Sequence, residues 1–296
     1  MGVLDGRIAI ITGAGRGIGR QHALLFAKEG AQVVVCDNGS GPDGTGSDPT
    51  VAQAVTDEIN HAGGMAVASS ADVSKMAGAQ AVWDIAIEAF GDCNVVVNNA
   101  GILRDKMFAN MSDDDWDAVI NGHLRTTFCM SRVACGVWRD ETKAGKAVNS
   151  SIINTSSTSG LIGTPGQTNY GAAKSAIATL SIILAMEAKR YGTRVNAVVP
   201  AARTRMTEDS PGTKDLVKKP GDGSFDVFGP EHISPVVAYL AMEDCPLTGR
   251  VFMAKGGDIR PFVPWQRAPW IAESKHITVQ EVIELMKNVP EVPVSP

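Results

Sequence analysis

The chain has 296 residues, 44% hydrophobic and 20% charged, a balance that excludes a disordered or fibrous protein. A net charge of −5 with scattered basic residues excludes a nucleic-acid-binding face as its organising feature. No run approaches the roughly 18 consecutive apolar residues of a membrane span. The five cysteines, none in a CxxC pair, fit free thiols in a reducing cytoplasm better than a zinc site or a disulfide framework.

The opening "MGVLDGRIAIITG" carries an acidic residue before its apolar run and no small-residue cleavage site, so it reads as a first strand rather than a signal peptide. Gly2 lacks the downstream Ser or Thr that a myristoylation signal requires. After the strand "RIAIITG" comes a helix from Ile18 to Glu29, then the strand "AQVVVCD". A helix from Val51 to His61 leads to "MAVASSAD", and another from Lys75 to Phe90 leads to "NVVVNNAG". One long helix, Asp113 to about Arg139, precedes "SIINTSS"; a helix beginning near Tyr170 precedes "TRVNAVVP". A last helix, Pro235 to Met242, precedes "RVFMAKGG". These strands are short, β-branched and apolar on both faces, as buried parallel strands are. Strands alternating with crossover helices predict an α/β fold: a single Rossmann-type, doubly wound parallel sheet of about seven strands, with helices on both faces.

Three segments break the rhythm. Asn38 to Thr50 is a Gly/Ser/Asp/Pro stretch that reads as an exposed, mobile loop. Residues 207–230 are polar and weakly periodic, like a lid beside a substrate site. Beyond a domain spanning 1–263, the extension 264–296 holds "ITVQEVIELMKNVP", where Thr278 and Glu281 form a capping box ahead of a short helix.

Two clusters carry chemistry. "TGAGRGIG", Thr12 to Gly19, follows the first strand and opens the first helix. Its Gly13, Gly17 and Gly19 let backbone amides at a helix N-terminus approach a pyrophosphate, whose charge the helix dipole favours. Arg16 and Ile18 belong to the same turn. Asp37 ends the second strand, where a carboxylate accepts from adenosine ribose hydroxyls and repels a 2′-phosphate, selecting NAD over NADP. Arg16 argues the other way, since it could pair with that phosphate, but no Arg or Lys replaces or follows Asp37. At the chemical end, Tyr170 and Lys174 stand four apart and so share one helix face. An ammonium near a phenol, whose ordinary pKa is about 10, lowers that pKa toward the range useful for acid/base work.

These motifs, with "NNAG" and the upstream Ser157, resemble the short-chain dehydrogenase/reductase family in order and spacing from about Leu4 to Gly257. By that resemblance Tyr170 exchanges a proton with an alcohol/carbonyl pair, Lys174 lowers its pKa and holds the nicotinamide ribose, and Ser157 binds the substrate oxygen. Ser156 is the adjacent alternative, but the family spacing selects Ser157. Asp72 and Val73 match the adenine-contacting pair, while Asn98, Ala100 and Gly101 lie along the adenosine side. Two positions depart from the family pattern. Its fourth catalytic residue, an asparagine holding a water that links the lysine to solvent, aligns with His123, and Asn121 stands two residues earlier. A histidine ring nitrogen could serve the same relay. In "VVPAARTRM" the family's Pro-Gly is missing, and Thr204 is the expected nicotinamide contact.

The departures resemble one branch: dehydrogenase domains of multifunctional enzyme type 2 and single-domain bacterial relatives. These act on (3R)-hydroxyacyl-CoA thioesters, and some are described as hydroxysteroid dehydrogenases. The resemblance implies an NAD-dependent oxidation of a secondary alcohol by a homotetramer or homodimer paired through its long helices. It implies no metal, no nucleic acid and no membrane span. The alternatives are an NADPH-dependent 3-oxoacyl-carrier-protein reductase and a non-catalytic dinucleotide-binding regulator, against which the intact Ser157, Tyr170 and Lys174 argue.

Overall fold

The computed structural model describes residues 2–209, 215–263 and 277–287. The chain runs β1 (Ile8–Thr12), α1 (Gly17–Lys28), β2 (Gln32–Cys36), α2 (Thr50–His61), β3 (Met65–Ser69), α3 (Met76–Phe90) and β4 (Val95–Asn98). Then come α4 (Asp113–Ile120), α5 (Thr126–Lys143), β5 (Ser150–Thr155), the single turn α6 (Thr158–Leu161), α7 (Thr168–Ala188) and β6 (Thr193–Pro200). The remainder is α8 (Arg205–Asp209), α9 (Ser234–Ala241), β7 (Val251–Lys255), β8 (Asp258–Pro261) and α10 (Val279–Met286).

The sheet order is β3-β2-β1-β4-β5-β6-β7-β8. Strands β1 to β7 are parallel, as expected for runs such as "IAII" and "VVV" that are buried on both faces. Alternation sorts them into two layers. Ala9 and Ile11 of β1, with Val33 and Val35 of β2, pack with α1, α2 and α9. Ile10 and Val34 point to the opposite face, where Trp83 of α3 and Trp138 of α5 meet edge to face at 5.7 Å.

Two expectations need correction. The sheet has eight strands, because Gly256, at φ +53°, turns the chain back so that β8 pairs antiparallel with β7. The helix expected over Asp113 to Arg139 is interrupted by a π turn, Asn121–Arg125, that joins α4 to α5. A π turn inserts an extra residue into the helical repeat and re-aims the side chains it carries. The loop expected to be mobile is organised by its own turns: Gly41 N–H donates to Thr45 O at 2.7 Å and Asp48 N–H to Asn38 O at 2.9 Å. α10 begins at the capping box read from Thr278 and Glu281. The rest of the extension, 264–276 and 288–296, and residues 210–214 of the lid-like stretch lie outside the described residues.

β1 leads toward β2 and β3 on one side, whereas β4 sits on its other side. The crevice at this reversal, outside the carboxyl ends of β1 and β4, is where an open α/β sheet binds ligands.

Candidate active site

The glycine turn after β1 is built for close approach. Gly13 has φ +64°, and a Cβ there would lie 2.7 Å from Ala100 Cα; one on Gly19 would lie 2.0 Å from Gly13 O. Thr12 welds the turn to the end of β4, its Oγ1 accepting from Asn99 N–H at 3.0 Å and Ala100 N–H at 3.1 Å. The Asn99 amide donates in turn to Thr12 O and Gly13 O, both at 3.2 Å. Asn99 therefore orders the turn, a role the reading of "NNAG" did not assign.

Beside this turn opens a cavity of about 660 Å³. Of the residues expected to hold a dinucleotide, Gly13, Arg16, Gly17, Ile18, Asp37, Asp72, Val73, Ala100, Gly101 and Thr204 line it. Gly19 lies behind the turn. Asn98 points away: its amide donates to Ser131 Oγ at 3.1 Å and Asn154 Oδ1 at 2.8 Å, and Asn154 donates to Ser181 Oγ. That buried polar ladder ties β4 and β5 to α5 and α7. A motif fixes residue order, not side-chain direction, so Asn98 could not be placed from sequence.

Asp37 uses both carboxylate oxygens on backbone amides, accepting from Gly15 N–H at 2.8 Å and Gly39 N–H at 2.7 Å. Arg16 donates to Ser40 O at 3.4 Å. The loop after Asp37 also lines the cavity through Ser40, Pro42 and Gly44, and it docks on the opposite wall where Leu103 N–H donates to Pro42 O at 2.8 Å.

Gly101 in the cavity wall backs onto His123: a Cβ there would collide with the His123 ring, so the ring packs directly against the glycine backbone. His123 sits in the π turn, 1% exposed, with its ring edge-on to that of Tyr170 at 5.0 Å. Its Nε2 lies 2.7 Å from Ile102 O and 3.1 Å from Ile102 N, while Nδ1 is buried without a partner. The shorter contact assigns the proton to Nε2 and leaves Nδ1 as a bare acceptor. Burial and the Lys174 charge hold this imidazole well below its ordinary pKa, so it is neutral.

Ser156 and Ser157 follow β5 and part ways. Ser156 is fully buried and donates to Lys174 O at 2.7 Å. Ser157 Oγ accepts from Ser159 N–H at 3.2 Å, and Ser157 lies close enough to the Tyr170 phenol to favour its ionised form. Lys174 is 3% exposed; its Nζ donates to Thr155 O at 2.7 Å and stands 5.6 Å from the Tyr170 ring centroid. Burial pushes the Lys174 ammonium down to about 7. Burial raises the Tyr170 phenol, Ser157 opposes that rise, and Asp105 adds to it. The structure thus brings Ser157, Tyr170, Lys174 and His123 into one cluster behind Gly101 and Ile102, which line the cavity, while none of the four, Tyr170 and Lys174 included, lines it directly.

Past β6, Arg203 forms a bidentate pair with Asp226 and donates to Val217 O at 3.1 Å, pinning the lid-like stretch beside Thr204. Among the described residues no group of three or more His, Cys, Asp or Glu is placed to hold a metal ion, and the five cysteines are unpaired.

The comparisons with known proteins agree with this geometry. The short chain dehydrogenase family pattern matches residues 7–215. A solved short chain dehydrogenase from Mycobacterium avium is 46% identical, with a TM-score of 0.85, over 97% of this chain and 96% of that one. Hydroxyacyl-CoA dehydrogenase ChsB1 of Mycobacterium tuberculosis is 40% identical over 86% of this chain and 79% of its own. Peroxisomal multifunctional enzyme type 2 of Mus musculus is 41% identical over 89% of this chain but only 33% of its own length. The branch that the departures at His123 and "VVPAARTRM" resemble is among these relatives. The chain belongs to the short chain dehydrogenase family: it is an oxidoreductase with the fold, glycine turn and Ser–Tyr–Lys motif of that family.

Proposed function

We propose that the protein is an NAD-dependent dehydrogenase that interconverts a secondary alcohol and a ketone, with a 3-hydroxyacyl-CoA as its leading substrate and a hydroxysteroid second. The observation that carries this reading is the cluster itself: the Tyr170 phenol beside Ser157, with the buried Lys174 ammonium 5.6 Å from its ring centroid. The hydroxyacyl-CoA preference leans on similarity to ChsB1 and to the multifunctional enzymes.

The lining of the cavity suits a dinucleotide: the glycine turn from Gly13 to Ile18 forms part of its wall, with Asp37, Asp72 and Val73 beside it. The amides of Gly13 to Gly19 would take the pyrophosphate, Asp37 the adenosine ribose, Asp72 and Val73 the adenine, and Thr204 the nicotinamide. When bound, NAD⁺ supplies the hydride acceptor. Ser157 holds the substrate oxygen, and Tyr170 takes the hydroxyl proton as the C–H bond breaks. Lys174 stabilises the resulting phenolate. Burial works against both charges, raising the Tyr170 phenol and lowering the Lys174 ammonium. His123 acts as a fixed neutral acceptor through Nδ1, holding a donor at the lysine end without changing charge itself.

The dehydrogenase unit is 1–263, with 264–296 an extension of it. Two or four copies pair through α5 and α7, whose outer face exposes Phe128 and Met186 at a hollow of about 690 Å³ and Ile183 as well. Five unpaired thiols fit a cytoplasmic enzyme. The test is a panel of 3-hydroxyacyl-CoA and steroid alcohols assayed with NAD⁺ and NADP⁺. Turnover of one class with higher kcat/KM for NAD⁺ supports the reading. Higher kcat/KM with the phosphorylated cofactor points instead to a reductase, and binding without turnover points to a non-catalytic role.

A further inference from the structure

The residue before the reacting tyrosine is fully buried and uses both ends of its amide. Asn169 Oδ1 accepts from the Tyr170 N–H at 2.8 Å, while Nδ2 donates to Arg104 O at 3.2 Å and Asp115 O at 3.0 Å. The surroundings make this unusual. The first N–H groups of a helix have no acceptor within it, and water or a cap normally serves them. Here the Tyr170 N–H is served by a side chain anchored on two other segments: the stretch after β4 and the first turn of α4. Asn169 lies between an exposed Thr168 and a half-buried Tyr170 at the start of α7.

Those two segments are themselves fixed to the site. Arg104 donates from Nε to Asp43 O at 2.9 Å, reaching the loop that lines the nucleotide cavity. Asp115 closes the capping box of α4 with Ser112 and pairs with Lys106 at 3.3 Å. A parallel tie runs through Gln167, which donates to Asp105 Oδ2 at 2.8 Å and accepts from Ser159 Oγ at 2.7 Å, two residues from Ser157.

We propose that Asn169 is a positioning residue: by bonding the Tyr170 backbone to Arg104 and Asp115 it sets where the phenol stands relative to Ser157 and Lys174. It touches no reacting atom and acts only through Tyr170. The inference deepens the dehydrogenase reading and rests on it for the identity of the reaction, but its geometry stands on its own. Without the amide, two carbonyls in a dry interior lose a donor and the first turn of α7 relaxes. A displacement near 1 Å at a reacting group costs about a hundredfold in rate.

The test compares Asn169→Ala and the near-isosteric Asn169→Asp with wild type. Asn169→Asp keeps an acceptor toward Tyr170 and removes the donor, and it carries the test where Asn169→Ala fails to fold. Two readouts are needed. Ultraviolet difference titration reads the Tyr170 phenol directly, because the chain has only 3 tyrosines and Tyr170→Phe identifies its share of the signal. Steady-state rates at saturating NAD⁺ and alcohol give kcat, its pH profile and the KM values, with NAD⁺ affinity measured separately by calorimetry. The expected result is a shifted phenol titration and a kcat about 10- to 100-fold lower, with NAD⁺ affinity little changed. A phenol titration and kcat matching wild type in a folded variant would overturn the proposal. So would a kcat loss that merely tracks lost NAD⁺ binding or folded fraction. If wild type oxidises none of the alcohols offered, the functional reading fails, while the phenol titration still decides the role of Asn169.

Discussion

Replacing Asp37 by Ala should redraw cofactor choice, and the structure says by how much. The carboxylate accepts from the Gly15 amide at 2.8 Å and the Gly39 amide at 2.7 Å, so it organises both the glycine turn and the loop over the cavity. A hydrogen bond to a charged group contributes roughly 1.5–3 kcal/mol. Both amides lie at the cavity rim, where water can replace the carboxylate, so the lower end applies. Losing about 1.5 kcal/mol of cofactor affinity raises the KM for NAD⁺ about tenfold. For NADP⁺ the change runs the other way. A carboxylate about 4 Å from a phosphate charge is repelled by roughly 1 kcal/mol in water and about 4 kcal/mol at a protein surface. Removing it should raise kcat/KM for NADP⁺ by about tenfold or more. Initial rates with each cofactor, at one saturating alcohol concentration, give the ratio of the two kcat/KM values. That ratio should fall by about a hundredfold, the product of the two effects. A ratio unchanged in a folded Asp37→Ala variant would refute the assignment of Asp37 to the ribose.

Two further outcomes follow from the same geometry. In Lys174→Met the ammonium 5.6 Å from the Tyr170 ring is lost, so the phenolate loses a neighbouring cation and the acidic limb of alcohol oxidation moves to higher pH, with kcat reduced by about 10²–10⁴; a pH–rate profile checks the direction, and a downward move would contradict the role given to Lys174. Arg203→Ala breaks the fork on Asp226 and Val217, releasing the lid-like stretch, so KM for the alcohol should rise more than KM for NAD⁺; equal changes in both would place the effect on Thr204 instead.

Much of this was legible in the sequence because the strands are apolar runs such as "VVVC" and "NVVVN", separated by helical spacing. β8 was not, since "DIRP" is mostly exposed and polar, lies just past the glycine turn and contains a proline. The π turn was hidden because the periodicity of Asp113 to Arg139 runs through it, and hydrophobic spacing does not register one inserted residue. The order of the motifs, read through the family resemblance, singled out Ser157, Tyr170 and Lys174. The reason Ser157 rather than Ser156 meets Tyr170 is visible only in three dimensions, where Ser156 is occupied by the Lys174 carbonyl. Asn169 left no signal at all: a polar residue in the first turn of a helix is ordinary, and its partners lie 54 and 65 positions away.

The central claim is that Tyr170 exchanges the proton of a secondary alcohol while NAD⁺ takes the hydride. Its most direct test is the rate of NADH formation from a 3-hydroxyacyl-CoA by wild type and by Tyr170→Phe, each saturated with NAD⁺. The phenylalanine keeps the ring against His123 and removes only the hydroxyl beside Ser157. Wild type should turn over and Tyr170→Phe should be slower by at least about 10²- to 10⁴-fold, with NAD⁺ binding retained. A phenylalanine variant as fast as wild type would contradict the account.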